Sequence, residues 1–417
     1  MRVAKENGGD VMKSDDEILE AVMRGELKMH EIERAVGGDV LRAVELRRAF
    51  VEKKTQTNLK HIGHFSLNAE RAMRANIENM IGATQVPLGV AGPLRVKGRF
   101  AYGDFFIPLA TTEGALVASV NRGCTAINRS GGASAFIVAE GMTRAPVFRA
   151  NSAEHAINAI NFIRENEEKL REIAESTSRH LKLKEIQPFL VGRNVFVRFV
   201  CETGDAMGMN MVTIATDEVS SFIEEKTGLK LVAVSGNVCT DKKPSALNFI
   251  LGRGKTVVAE VVLSEEVIED VLKTTKEAMF EVVLRKCLVG SAFASSLGFN
   301  AHFANIIAAI FIATGQDAAH VVEGSLGVTT AEIVDGGLHF AVTLPSLCVG
   351  TVGGGTPLET QQEALKIMGV AGGGSPPGSN ARKFAEIVAC AVLAGEISLT
   401  AALAARHLTQ AHIRLNR

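Results

Sequence analysis

The chain has 417 residues, 47% of them hydrophobic and 22% charged, and a net charge of -1. At about 100–200 residues per domain this length predicts two or three domains with ample material for cores. The near-neutral balance argues against a nucleic-acid or anionic-membrane partner, either of which favours a basic patch. The six cysteines, Cys124, Cys201, Cys239, Cys287, Cys348 and Cys390, are scattered and form no C-x-x-C pair, which fits a reducing compartment better than a disulfide scaffold. The N-terminal MRVAKENGGD lacks the apolar stretch of a signal peptide. The most apolar segments, near Phe303–Ala313 and Ile387–Ala394, read as buried core helices rather than membrane spans. The expectation is a soluble, cytoplasmic protein.

In chain order, the first 60 or so residues are charged and helical in pattern. Ser14-Asp-Asp-Glu17 is a capping-box signature ahead of Ile18, Leu19, Val22 and Met23. From about Asn79 to Arg144 the chain becomes apolar and glycine-rich. Phe105–Ala110 reads as a strand, Thr111 and Thr112 as caps, and Leu116, Val117, Val120, Cys124 and Ile127 as one helix face. This places Glu113 in a first helical turn. Ser152 to Leu181 reads as one long polar helix, Val191–Cys201 as an alternating strand, and Gly204–Asn210 as a turn before a helix at Val212–Glu225. A compact α+β module between two apolar, glycine-rich regions reads as an inserted domain. The C-terminal part closes with helices expected at about Lys383–Ala394 and Ser398–His412.

No G-x-G-x-x-G stands between a strand and a helix, so an ordinary Rossmann dehydrogenase is disfavoured. Gly252-Arg-Gly-Lys255 lacks P-loop spacing and reads as a turn. His61-x-x-His64 has no accompanying cysteine or carboxylate set, so no metal site is expected there. A glycine turn such as Asp205–Asn210, after a strand and before a helix, can set backbone N–H groups against a pyrophosphate, but by itself a plain αβ turn is the better account. The lysines of Asp241-Lys-Lys-Pro244 follow small polar residues, and a lysine held in such a loop can stabilise an oxyanion. Asp317 follows a very apolar helical run and should have a partner. Taken singly, Glu113, Asp317 and His412 all have structural explanations.

Together, Glu78-Asn-Met-Ile-Gly82, Thr111-Thr-Glu-Gly114, Asp205–Asn210, Asp241-Lys-Lys-Pro244, Gly315-Gln-Asp-Ala-Ala319 and Gly350-Thr-Val-Gly-Gly-Gly355 resemble the HMG-CoA reductases. The Asp-Lys-Lys loop resembles their class I branch, and the missing membrane anchor the archaeal form. The resemblance implies NADPH-dependent reduction of the HMG-CoA thioester to mevalonate and free CoA, with Glu113, Lys242, Asp317 and His412 catalytic. It implies that Arg144, Ser235, Lys243, Lys286 and Asn305 hold the hydroxymethylglutaryl part, and that Ser119 and Arg122 lie near the CoA phosphates. It further implies nicotinamide-nucleotide binding by Asp205, Ala206, Met207, Gly208, Met209 and Asn210, with Ser178 and Arg179 at the 2′-phosphate.

The implied fold is α+β. A helical N-terminal domain (1–78) precedes a large HMG-CoA-binding domain (79–145 and 245–417). A small ferredoxin-like cofactor domain (146–234) is inserted into it, joined by a catalytic loop (235–244). A homodimer with shared active sites, in some cases paired into a tetramer, is implied too. Two other readings stay open at this point: a CoA-thioester enzyme without redox chemistry, and a non-catalytic nucleotide-binding protein.

Overall fold

A computed structural model describes residues 14–405. The chain divides into two compact units, 1–86 with 358–360, and 87–357 with 361–417. In the first, Ser14 accepts the Glu17 N–H at 3.3 Å while the Glu17 carboxylate accepts the Ser14 N–H at 2.8 Å, so the capping box starts helix α1 (Asp15–Met23) as read. Helix α2 (Val40–Thr55) and helix α3 (Ala69–Ala75) complete the main framework. Ile18, Val22, Ile32, Val36, Ala43 and Leu46 form one small core, and Val40, Val44, Ala69, Ala72 and Met80 a second.

The larger unit is built on a mixed sheet. Its strands are β1 (Leu88–Gly98), β2 (Tyr102–Ala110), β3 (Ala133–Arg144), β4 (Val147–Arg149), β5 (Lys182–Val191), β6 (Asn194–Glu202), β7 (Lys230–Ala233), β8 (Gly254–Ser264), β9 (Val328–Val334) and β10 (Gly337–Leu347). The order is β7-β4-β6-β3-β8-β10-β9, with β1 on β2 and β3, and β5 on β6. Strand β3 joins two regions: Ser134–Gly141 pairs with β8, and its last residues, Met142–Arg144, pair with β6.

The main core surrounds the helices α4 (Leu116–Arg129), α8 (Phe303–Thr314) and α9 (Ser379–Ala404), to be read together with three others between them in sequence: α5 (Ala153–Glu165), α6 (Glu167–Ser176) and α7 (Met209–Thr227). Helix α9 is 26 residues long and apolar enough to cross a membrane by composition, but 78% of its most apolar window is buried inside the protein, as befits a core helix. The two helices expected at Lys383–Ala394 and Ser398 onward are therefore one across the described residues. Gly395 does not break it, because that glycine lets Ile306 of α8 pack where a Cβ would stand, and its neighbours stay helical. Gly123 of α4 serves a similar close approach, since a Cβ there would collide with the Ala394 carbonyl.

A second core, including Phe148, Ile163, Leu170, Val197, Phe199, Val212 and Ile223, is enclosed by β4, α5, α6, β5, β6, α7 and β7. These follow one another as β-α-β-β-α-β, with α5 and α6 together forming the first helical crossing. Their strands are ordered β7-β4-β6-β5, every neighbour antiparallel. The long polar helix expected from Ser152 to Leu181 is two helices. The Asn166 side chain donates to the Phe162 carbonyl at 2.8 Å, and its non-helical backbone separates them. Strand β5, with Pro188 and weak alternation, was not read from the sequence. The strand expected at Val191–Cys201 is split by a turn at Gly192-Arg193, so Val191 ends β5 and Asn194 starts β6.

All six cysteines are free and buried.

Candidate active site

The site begins in a strained loop. Between β7 and β8, Asn237, Thr240 and Lys242 adopt φ of 64°, 49° and 57°. Left-handed non-glycine residues cost on the order of 1–3 kcal/mol each, so surrounding contacts must hold them. The Asn248 side-chain amide donates to the Thr240 carbonyl at 3.0 Å, and the Lys242 N–H donates to Glu323 Oε1 at 3.1 Å. The Lys242 ammonium then reaches Asp317 Oδ2 at 2.7 Å.

Asp317 is set by the end of α8. Gly315, at φ 68°, closes that helix, and the backbones of Gly315 and Gly355 are too close to admit a side chain on either. Asp317 accepts the Ala319 N–H at 3.1 Å and caps a short turn through His320. Burial works against its charge, but the bonds from Lys242 and Ala319 outweigh this and hold the carboxyl below its ordinary range.

Beneath this pair lies a buried polar cluster that sequence reasoning missed. Arg253, His320 and Glu323 are at most 1% exposed. Arg253 Nη1 is 2.7 Å from Glu323 Oε1, and Nη2 is 3.1 Å from Asp241 Oδ1. The His320 ring meets Glu323 through Nδ1 at 2.8 Å, while Nε2 lies 3.8 Å from Asp241 and 3.7 Å from Asp317. Burial disfavours the imidazolium, yet the neighbouring Cys348 and the Glu323 carboxylate outweigh it and raise its pKa to about 9. His320, Glu323 and Cys348 also stand close enough to ligate a metal ion. Among them sits the Arg253 guanidinium, with Nη1 3.4 Å from His320 and 3.5 Å from Cys348. An internal cation thus takes the place that a metal would fill. The spacing Asp317-x-x-His320-x-x-Glu323 was the available signal, as was an arginine between glycines at 252 and 254.

Glu113 is not in a helical turn as expected. Ala115, at φ 69°, delays α4 to Leu116, so Glu113 stands in the bend before it, its N–H donating to Thr111 Oγ1 at 3.0 Å. The Asn305 amide, in the first turn of α8, donates to the Glu113 carboxylate at 3.2 Å. Neither Lys242 nor Asp317 is hydrogen-bonded to Glu113 among the described residues. His412 lies outside the described residues, as does its neighbour His407.

The remaining candidates outside the Asp205–Asn210 turn lie in four places. Arg144 donates to Thr213 Oγ1 at 3.0 Å and faces Asp241 at 3.6 Å. Ser235 Oγ is 3.4 Å from Cys239 Sγ, and the Lys243 ammonium donates to the Asp241 carbonyl at 3.2 Å. These three therefore gather at the Asp241–Lys243 loop. Ser119 and Arg122 of α4 both bond the Ser398 hydroxyl of α9, at 2.9 and 3.0 Å. Lys286 is exposed on the irregular helix Val283–Gly290, and the half-buried Ser178 and exposed Arg179 lie between α6 and β5.

The Asp205–Asn210 turn has both a structural and a binding face. The Asp205 carboxylate accepts N–H groups from Gly374, Gly378 and Ala381 at 2.9, 2.7 and 3.0 Å, capping the start of α9. Ala206 bridges Val352, and the Gly350 N–H donates to Gln316 at 2.9 Å, which ties the glycine loop to the Asp317 turn. Gly208, at φ 94°, begins α7, whose first N–H groups have no side-chain cap. Uncapped donors and the positive helix end suit an anionic group.

A lysine held by a carboxylate, a second carboxylate set by an amide, and an uncapped helix start in an α+β fold define the class: an enzyme equipped to stabilise developing negative charge on oxygen. Residues 43–417 match the family model for hydroxymethylglutaryl-coenzyme A reductase. The chain is 56% identical over 405 residues to 3-hydroxy-3-methylglutaryl-coenzyme A reductase of Pyrococcus abyssi, covering 96% of this chain and 99% of that one. It is 55% identical over 412 residues to the enzyme so named in Methanocaldococcus jannaschii, covering 97% and 100%. The class II 3-hydroxy-3-methylglutaryl-CoA reductase of Streptococcus pneumoniae, solved with NADPH, shares the fold with a TM-score of 0.63 at 19% identity over 95% of this chain and 98% of that one. The chain belongs to the hydroxymethylglutaryl-coenzyme A reductase family.

Proposed function

We propose that the chain reduces the thioester of HMG-CoA to mevalonate and free CoA, in the mevalonate route to isoprenoid precursors, through successive hydride transfers from NADPH. The observation that carries this reading is the Lys242 ammonium, presented by a left-handed loop residue and held 2.7 Å from Asp317 in the segment that matches the family.

Lys242 stabilises the oxyanion that forms as the thioester carbonyl becomes a thiohemiacetal. Asp317 keeps that ammonium charged and in place. His412 protonates the departing CoA thiolate, a task suited to an imidazole near neutral pH. Glu113, steadied by Asn305, gives the proton to the alcohol oxygen at the second reduction. Arg144, Ser235, Lys243, Lys286 and Asn305 hold the hydroxymethylglutaryl portion, with Arg144 and Lys243 facing its free carboxylate. Ser119 and Arg122 lie toward the CoA phosphates.

NADPH supplies the hydride when bound. The uncapped N–H groups at the start of α7, with Asp205–Asn210 forming the turn, would receive its pyrophosphate. Ser178 and Arg179 take the 2′-phosphate, which favours NADPH over NADH. In this reading residues 146–234 form a ferredoxin-like cofactor domain inserted in the substrate domain, and 235–244 the catalytic loop. The enzyme works in the cytoplasm as a homodimer with shared active sites, or a pair of dimers, with the Glu78–Gly82 segment near the dimer interface.

The test is loss of NADPH absorbance on addition of HMG-CoA. Oxidation that requires HMG-CoA, is weaker with NADH and disappears in Lys242→Ala is the expected result. No oxidation by the folded protein would move a non-redox thioester reaction to the front.

A further inference from the structure

We propose that Glu323 is a positioning residue that fixes Lys242 for the reaction by receiving its backbone N–H. This rests on the role given to Lys242 above and adds a residue that does not itself touch the substrate.

The argument starts from the backbone. Lys242 has φ 57°, and its N–H is directed inward to Glu323 Oε1 at 3.1 Å. That one oxygen also receives Arg253 Nη1 at 2.7 Å and faces His320 Nδ1 at 2.8 Å. Arg253 is fixed at its other atoms: Nε donates to Thr143 Oγ1 at 3.2 Å, and Nη2 pairs with Asp241 at 3.1 Å. Asp241 immediately precedes Lys242, and its second oxygen faces Arg144 at 3.6 Å. The loop is therefore held at two consecutive residues from one buried cluster, by its backbone at Lys242 and by its side chain at Asp241. Asp317 then takes the end of the Lys242 side chain.

Two further observations indicate that the cluster serves the loop. Glu323 Oε2 and His320 Nε2 are buried without a hydrogen-bond partner, an expensive arrangement for a part of the core with no other task. The unpartnered His320 nitrogen faces both Asp241 and Asp317, the neighbours of Lys242 in sequence and in space. Buried ion pairs can often be exchanged for well-packed apolar residues without loss of stability, so packing alone is a poor account of this cluster.

The experiment compares two variants that keep part of the cluster. Glu323→Asp retains a negative charge in the cluster but withdraws the acceptor from the Lys242 N–H by one methylene. Glu323→Gln removes the charge and keeps an oxygen at the same reach. Steady-state kinetics and the rate of Lys242 acetylation, read by mass spectrometry against Lys243, are measured for both and for Lys242→Ala. The expected result is a kcat at least tenfold lower in Glu323→Asp with KM for NADPH within twofold, a kcat within threefold of the parent in Glu323→Gln, and faster acetylation of Lys242 in Glu323→Asp alone. A Glu323→Asp enzyme with parental kcat and parental Lys242 acetylation overturns the proposal, as does equal impairment of both variants, which would assign the effect to charge. If Lys242→Ala itself stays active, the role given to Lys242 fails instead, whatever the Glu323 variants do.

Discussion

His320 is the residue whose titration the fold alters most usefully. Glu323, Asp241, Asp317, Arg253 and Cys348 all face it, and its pKa rises to about 9 from an ordinary 6.5. In the unfolded chain the ring loses its proton near pH 6.5, so between these values the folded protein binds a proton that the unfolded chain does not. The resulting stabilisation is fully present below pH 6.5 and is lost as pH rises through 9. Denaturant titrations at several pH values should show the parent losing its margin over His320→Gln across that window; a margin that does not change with pH would contradict this assignment. Asp317 acts in the opposite sense. Its depressed carboxyl contributes above its ordinary pKa and is lost as the solution is acidified. Lys242 and Asp317 could be picked out from the sequence because they sit in long distinctive motifs. The cluster under them left only faint signals, the spacing of His320 and Glu323 after Asp317 and an arginine between glycines, because its residues come from two distant segments and only folding gives them a common purpose.

At the scale of elements, α9 organises the larger unit through polar contacts as well as apolar ones. Glu386 receives the N–H groups of Phe100 and Ala101 at 2.8 and 2.6 Å, which ties down the β1–β2 turn. Glu396, fully buried, receives the N–H groups of Ala301 and His302 at 2.8 and 2.7 Å and the Thr329 hydroxyl at 2.6 Å. Glu396→Ala leaves these donors buried without partners, at about 1–3 kcal/mol each, so chemical denaturation should show a loss of about 3 kcal/mol or more. Gly123→Ala forces apart α4 and α9 at Ala394, with an expected cost of about 1–3 kcal/mol or more, since both backbones are fixed by their own helices. The sequence allowed the apolar stripes of these helices to be read, because helical spacing is a local property. Their ends were less legible. Asn166 breaks a helix by bonding one turn back, Ala115 delays one by a left-handed backbone, and Gly395 leaves one intact because a neighbouring isoleucine fills the space, and none of these outcomes follows from residue type.

Over the whole molecule, the second core of the larger unit starts and ends at one place. Val147 of β4 is paired with Ala233 of β7, and the Gly236 N–H donates to the Ala145 carbonyl at 2.6 Å. A short linker in place of residues 147–234 should therefore leave the main core with a cooperative urea transition while abolishing NADPH binding; collapse of that transition would show that the two cores fold only together. The β-α-β-β-α-β order was partly legible as a change from apolar, glycine-rich chain to a polar α+β stretch, but strand β5 stayed hidden because Pro188 and the charged Lys182, Lys184 and Glu185 weaken the alternation. The buried cysteines sample these regions one by one. Cys124, Cys287 and Cys390 belong to the main core, Cys201 and Cys348 to the second, and Cys239 to the lysine loop. Burial pushes Cys124, Cys201 and Cys287 up to about 12, whereas Ser235, the Asp241 backbone and Arg144 outweigh burial at Cys239 and draw it below its ordinary value. The folded enzyme thus carries its own set of stopwatches. In a thiol reagent each cysteine stays silent until its surroundings open, and the order of labelling is a direct readout of which region breathes first.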